Sequence, residues 1–217
     1  MKAYVITLTE KPESVEVANR CIKTGARFGV SVEKWAAYSP QSAVEKWEDV
    51  LLEHNHIPVE RFVEKYTRFE NCLAAFFSHY SLWKKCIELN EDILILEHDA
   101  VFNNFLPEVH FSGVMSFGAP SYGKYVTPQL IGRNKLISKQ YLPGAHAYAV
   151  TPTAAKVLVD GATKRAAPTD LYLSNSNFSF IEEYYPWPIS AKDTFTTIQN
   201  ETGCMAKHNN GPGYKVI

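Results

Sequence analysis

The residues best suited to chemistry lie together in DILILEHDAVF, residues 92–102. Four aliphatic side chains, Ile93 to Leu96, run into Glu97, His98 and Asp99, and the chain then turns apolar again. Two carboxylates one residue apart can face the same side as an extended strand bends into a turn. Hard oxygen ligands of this kind suit Mg²⁺ or Mn²⁺, and Mg²⁺ often shares its shell with substrate phosphates. A cation held there would neutralise charge on a departing diphosphate. Two acids in a solvated turn would give the same string, and an acid-x-acid motif is weak by itself. Position adds weight. Ile93–Leu96 is apolar on both faces, as in a strand covered from both sides, and open α/β sheets bind ligands beyond the carboxyl ends of such strands.

The elements that must position this turn follow from periodicity and punctuation. AYVITL, residues 3–8, is a β-rich run. Pro12 sits at a first helical turn, Val15, Ala18 and Ile22 recur at helical spacing, and Gly25 marks a stop. Residues 30–38 read as extended, and 43–54 as an amphipathic helix with Val44, Trp47 and Leu51 on one stripe. Thr67 and Glu70 form a capping-box pattern before CLAAFFSHYSLWKKCIEL, where Leu73, Phe76, Tyr80, Trp83 and Ile87 mark one face. Asn90 to Asp92 ends that helix. Residues 103–143 read as short strands and loops. Residues 145–150 read as a strand, with Thr151 as N-cap, Pro152 at the first helical position and Gly161 at the helix end. From Ser174 onward the composition suggests loops. Alternating strands and helices predict an α/β sandwich. We expect a single domain over 1–217, with halves at 1–102 and 103–217 and loops towards the C-terminal end.

The 217 residues are 46% hydrophobic and 21% charged, with a formal net charge of −1. A global basic field is absent, so no nucleic-acid partner is expected. No apolar run approaches a membrane span, so any membrane contact would be peripheral. The N-terminal segment is too short in its apolar part for a signal peptide, and Cys21, Cys72, Cys86 and Cys204 form no C-x-x-C pair. Both features point to a cytoplasmic protein with free thiols.

Five segments carry a family resemblance, in order along the chain. YVITL is similar to a family strand that begins a nucleotide pocket. ENCLAAFFSHYSLWKKCIE resembles an E-x-G-C-x-x-S-H helix followed by a Leu-Trp pair. ILILEHDAVF resembles I-L-E-D-D-A-x-F. GAHAYAVTPTAAKVLV resembles G-x-x-x-Y-x-[IV]-[ST]-x-x-G-A, and APTDLYL resembles Pro-x-Asp-x-x-Leu. Together they span residues 3–8 and 70–173. The sequence thus resembles glycosyltransferase family 25, which includes lipooligosaccharide-synthesis and collagen galactosyltransferases.

That resemblance implies a GT-A type, Rossmann-like α/β/α sandwich with a mostly parallel central sheet. It also implies a divalent metal, Mn²⁺ or Mg²⁺, and inverting transfer from a UDP-sugar, most commonly UDP-galactose. The acceptor would be a glycan, glycolipid or glycoprotein, as in lipopolysaccharide biosynthesis. Glu97, His98 and Asp99 stand where the family has Glu-Asp-Asp. His98 departs from that pattern and could point away, touch the donor or weaken metal dependence. By the same carry-over Glu97 and Asp99 form the metal set; many GT-A enzymes add a C-terminal His as a further ligand, here His208, with a surface-loop His as its plain alternative. Asp170 is the expected base, since inverting transfer needs one group to deprotonate the acceptor hydroxyl; a helix N-cap is its plain alternative. Thr7 and Leu8 end the first strand, where uracil and ribose would sit.

Glu70 and Asn71 open the long helix, whose N-terminus can meet a phosphate or a sugar hydroxyl. Ser78 and His79 lie in its middle and would line the donor pocket, His79 alternatively bracing the metal turn from the core. Lys34, Arg68, Arg133 and Lys207 could contact the diphosphate, and Tyr184 to Trp187 could stack on an acceptor sugar. A non-catalytic sugar-nucleotide or glycan-binding remnant, or a sugar-nucleotide hydrolase, would share many of these features.

Overall fold

The computed structural model describes residues 1–54, 60–65, 67–192, 194–200 and 214–217. Its centre is a seven-stranded sheet. In chain order the strands are β1 (Lys2–Thr7), β2 (Val32–Ala36), β3 (Ile93–Glu97), β5 (Val114–Ser116), β6 (Gly132–Lys135), β7 (Ala147–Val150) and β8 (Ile181–Tyr185), with β4 (Ala100–Phe102) outside that sheet. The spatial order is β2-β1-β3-β7-β5-β8-β6. β7 and β6 run against the other five, so the sheet is mostly parallel.

Helices cover both faces. α1 (Pro12–Arg27) lies on one. Its Ala18 and Cys21 pack with Leu94, Leu96, Ala147 and Ala149. The other face carries α2 (Pro40–His54), α3 (Phe69–Leu89) and α4 (Pro152–Arg165). There Phe76, Tyr80 and Trp83 pack with Ile93, Ile95, Tyr148 and Val150. Alternate residues of β3 therefore enter opposite cores, and all four of Ile93–Leu96 are fully buried. That explains the missing polar face of this strand. Each such side chain contributes about 1.5–3 kcal/mol of burial. A short helix, α5 (Thr169–Tyr172), follows α4, and Tyr172 stacks on Trp83 at 5.5 Å.

Several local expectations hold. Thr151 caps α4 by accepting the Ala154 N–H at 3.3 Å, with Pro152 in the first turn. α3 ends at Asn90 in the left-handed conformation (φ 50°), which asparagine tolerates. Others are corrected. Gly25 and Gly161 end neither helix. A Cβ at Gly25 would lie 3.1 Å from Val32 and one at Gly161 2.8 Å from the Tyr172 hydroxyl, so these glycines permit close packing inside α1 and α4. The capping box is absent: Arg68 is the N-cap of α3 without a side-chain bond, and Thr67 bridges to Gln199.

The tail from Ser174 is also not all loop. β8 joins the central sheet, β9 (Ile189–Ala191) pairs with β4, and β10 (Phe195–Thr196) pairs with β11 (Lys215–Val216). The acidic IEEYY string disguised β8. Glu183 is 1% exposed because its carboxylate accepts the Ile137 and Ser138 N–H groups, both at 2.7 Å, and the Trp187 indole N–H at 3.2 Å. Bonds of this number offset the cost of burying the charge.

Candidate active site

β1, β2 and β3 are mutually parallel, so their carboxyl ends reach one edge of the sheet. Two clefts of about 340 Å³ each open there, within the range of small-ligand sites. Glu97 and His98, together with Ala75, Thr197 and Ile198, line both and form the wall between them. The helix-side cleft lies over the ends of β1 and β2 and takes Asn71, Ser78 and His79 from one face of α3. The loop-side cleft takes Asp99, Tyr122, Gly144, His146 and Asp170.

A hydrogen-bond chain fixes Glu97. The Trp83 indole donates to the Tyr148 hydroxyl at 2.8 Å, Tyr148 lies 2.9 Å from His79 Nδ1, and His79 Nε2 lies 3.2 Å from Glu97 Oε1. Tryptophan only donates and an ionised carboxylate only accepts. Tyr148 must therefore donate to Nδ1, and His79 carries its proton on Nε2 and donates it to Glu97. Burial holds His79 neutral, lowering its pKa from 6.5 to about 3 against the opposing pull of Asp170. The His79–Glu97 contact is thus a hydrogen bond from a neutral imidazole, and its ion-pair geometry carries no ionic bond.

His98 turns towards α1. Its Nδ1 lies 2.7 Å from the Ser14 hydroxyl, which also accepts the Leu8 N–H at 2.9 Å. Its ring meets Phe195 edge-on at 5.2 Å. The residue that departs from the acidic pattern is therefore a bracket between the β1–α1 loop and the β3–β4 turn, with its remaining edge on both clefts.

Asp170 lies in the first turn of α5, whose N-cap is Pro168 and not an Asp. Its Oδ1 accepts the Leu171 N–H at 2.9 Å, and its Oδ2 accepts the Tyr122 hydroxyl. Burial raises its pKa above the usual carboxylate value, while bonds from Tyr122 and the backbone at Leu171 and Gly144 pull the other way. Burial and the Asp170 charge together raise Glu64, a second acid on this cleft.

The other predicted residues separate. Leu8, Asn71, Ser78 and His79 line the helix-side cleft. Ser78 accepts the Tyr38 N–H at 2.9 Å and donates to the Ala74 carbonyl at 2.7 Å, tying the loop after β2 to α3. Thr7 turns its hydroxyl back to the Val5 carbonyl at 3.0 Å, and its own carbonyl accepts the Ala37 N–H. Glu70 is exposed. Neither Thr7 nor Glu70 lines a cleft. Arg68 reaches the helix-side cleft and donates to the Thr197 and Ile217 carbonyls. Lys34 is exposed on β2 and lines neither cleft. Arg133 instead pairs with Glu182 at the sheet edge. The Tyr184–Trp187 cluster lies outside both clefts. His208 and Lys207 lie outside the described residues.

Sequence reasoning missed Ser14, Tyr122, His146 and Tyr148. A Cβ at Gly118 would come within 2.6 Å of His146 Nε2, so Gly118 makes room for that ring. Only Ser14, two residues after Pro12 in a first helical turn, carried a local signal.

Among the described residues the donors that suit a hard cation are a pair of carboxylates. Among the described residues no three His, Cys, Asp or Glu side chains converge as a cage. Glu97 and Asp99 both face the loop-side cleft. Two carboxylates are what a Mg²⁺-type ion takes from protein when phosphates complete its shell.

No curated protein matches the chain. Among solved structures, a glycosyltransferase involved in glycosylating the major capsid of PBCV-1 is 11% identical, covers 86% of this chain and 82% of its own, with a TM-score of 0.43. The CTP:phosphocholine cytidylyltransferase LicC from Streptococcus pneumoniae is 11% identical, covers 88% and 92%, with a TM-score of 0.40. The model of glycosyltransferase family 25, described as LPS biosynthesis protein, matches residues 1–111. The chain belongs to glycosyltransferase family 25.

Proposed function

We propose that the protein transfers galactose from UDP-galactose to a glycan acceptor by an inverting, metal-assisted displacement, the two clefts holding donor and acceptor. The observation that carries this reading is the shared wall. Glu97 and His98 face both clefts at the carboxyl end of a central strand, with Asp99 and Asp170 together on the loop side. The helix-side cleft, walled by the β1 and β2 ends and α3, takes the nucleotide. The sugar crosses the wall into the loop-side cleft, where the acceptor hydroxyl meets Asp170.

Asp170 accepts the proton of that hydroxyl as its oxygen attacks the anomeric carbon and the nucleotide diphosphate leaves. A carboxylate raised by burial is a stronger base than a solvated one, and the Tyr122 bond fixes its direction. Glu97 and Asp99 would hold Mn²⁺ or Mg²⁺ with the diphosphate. Bound there, the ion would stabilise charge on the leaving group. His79 donates to Glu97 from behind and so would aim its carboxylate at the ion, as hydrogen bonds to metal ligands do.

The test is incubation with Mn²⁺ or Mg²⁺ and a panel of nucleotide sugars, with and without glycan acceptors, following free nucleotide and the fate of the sugar. Acceptor-dependent release of UDP from UDP-galactose is expected. Turnover that needs no acceptor would replace this reading with sugar-nucleotide hydrolysis. Failure to bind or turn over any donor would overturn it.

A further inference from the structure

The net charge of −1 hides an uneven distribution. Between Glu108 and Asp160 there is no acidic residue, while Lys124, Arg133, Lys135, Lys139 and Lys156 all fall there. Apolar exposure is concentrated in the same stretch. Of eleven exposed large hydrophobic residues among those described, Val157 and, closer together, Tyr125, Val126, Leu130, Ile131 and Ile137 belong to it, with Ile131 80% and Leu130 71% exposed. Singly exposed apolar residues are ordinary, but a cluster marks an interaction surface.

These residues form one edge. The Val126 N–H donates to the Ser138 carbonyl at 3.0 Å, bringing Tyr125 and Val126 beside Ile137. Tyr125 meets Trp187 at 5.7 Å, Trp187 meets Tyr185 at 5.0 Å, and Tyr185 pairs with Gly132, next to Ile131. Along β6, the outermost strand, Arg133 and Lys135 are exposed, and just beyond it Ile137 is exposed while Leu136 is buried. Glu182 neutralises Arg133. Lys139 lies 4.9 Å over the rings of both Tyr122 and Tyr141, which line the loop-side cleft. The edge therefore runs up to the mouth of that cleft.

We propose that this edge docks on an anionic membrane surface. Val126, Leu130 and Ile131 enter the headgroup boundary, and Lys124 and Lys135 sit among the lipid phosphates. Lysine is depleted from protein–protein interfaces, whereas lysine interleaved with aliphatic residues, in a stretch that itself carries no acid and meets Glu182 on β8, suits an anionic bilayer. Lysines on an edge strand also discourage strand pairing, but that role alone would not place Leu130 and Ile131 in solvent. The inference rests on the surface and not on the transfer reaction, although a cleft mouth at the bilayer suits a lipid-borne acceptor.

Co-sedimentation of the full chain with vesicles tests it, comparing equal parts phosphatidylcholine and phosphatidylglycerol with phosphatidylcholine alone. The wild type sediments with the anionic vesicles and is released by salt. Leu130→Ser with Ile131→Ser lowers partitioning about tenfold. Lys124→Glu with Lys135→Glu removes the preference for anionic lipid. All four positions are exposed, so thermal unfolding stays as in the wild type. Equal binding by wild type and both variants, or no binding by the wild type, overturns the proposal. A wild-type dimer in ultracentrifugation that Leu130→Ser with Ile131→Ser dissociates also overturns it, by making the edge a contact between copies.

Discussion

The clefts on either side of Glu97 are built by different means. The helix-side cleft stands on three parallel strand ends and one face of a six-turn helix. Asn71, Ala74, Ala75, Ser78 and His79 fall on one stripe of α3 and reach the cleft together. The loop-side cleft takes Tyr122, Gly144, His146 and Asp170 from loops and from α5, a single turn. Regular structure suits a site that grips an invariant nucleotide. Loops suit a site that must fit one acceptor and place one base. The comparison predicts that changes on the loop side strike turnover, and changes on the helix side strike donor affinity or stability.

The sharpest way to break that division is Asp170→Asn. It removes the proposed base and keeps the shape, so kcat should fall about 10²–10⁴-fold with donor affinity unchanged. Normal transfer would remove Asp170 from the chemistry. Next is Asp99→Ala, which should weaken metal-dependent donor binding by about 10–100-fold in calorimetric titration. Unchanged binding would refute the metal assignment.

Substitutions behind the helix-side wall should act through stability. Tyr148→Phe leaves His79 Nδ1 buried without its donor, which costs about 1–3 kcal/mol in urea unfolding. The same chain sets a pH dependence. The unfolded chain protonates His79 near 6.5, the folded protein only near 3. Stability from the neutral imidazole is therefore present above pH 6.5 and is lost as pH falls toward 3. The slope is at most about 1.4 kcal/mol per pH unit, and His79→Gln should flatten it. The smallest effect is expected from Ser14→Ala, which frees the Leu8 N–H and His98 Nδ1 at a cost of about 1 kcal/mol. A large loss of turnover there would mean that His98 does more than bracket two loops.

Legibility in the sequence followed the same line. β1, α1, α3, β3 and α4 announced themselves through apolar periodicity and through Pro12, Thr151 and Pro152, because local physics alone dictates them. The Glu97–Asp99 turn was legible because a fully apolar strand led into it. Gly25 and Gly161 misled because their reason is tertiary: Val32 and the Tyr172 hydroxyl crowd the space a side chain would take. β8 was missed because Glu183 reads as solvent-facing until Ile137, Ser138 and Trp187 are seen to bond it. Tyr122 and His146 gave no signal, since loop residues reach a cleft only through the fold. The single net charge likewise concealed the basic and apolar edge, which exists only as a spatial arrangement.

The line from Trp83 to Glu97 has one permitted direction. Indole can give a hydrogen and cannot receive one, so the hydroxyl and the imidazole behind it are each set by the group before. In the language of circuits the line is a diode, with its rectifying junction in the dry core and its output at the ligand. A histidine or glutamine at position 83 could fill similar space and still donate, but each also accepts. The imidazole could then turn its proton inward, and the carboxylate at the cleft wall would lose the donor that aims it.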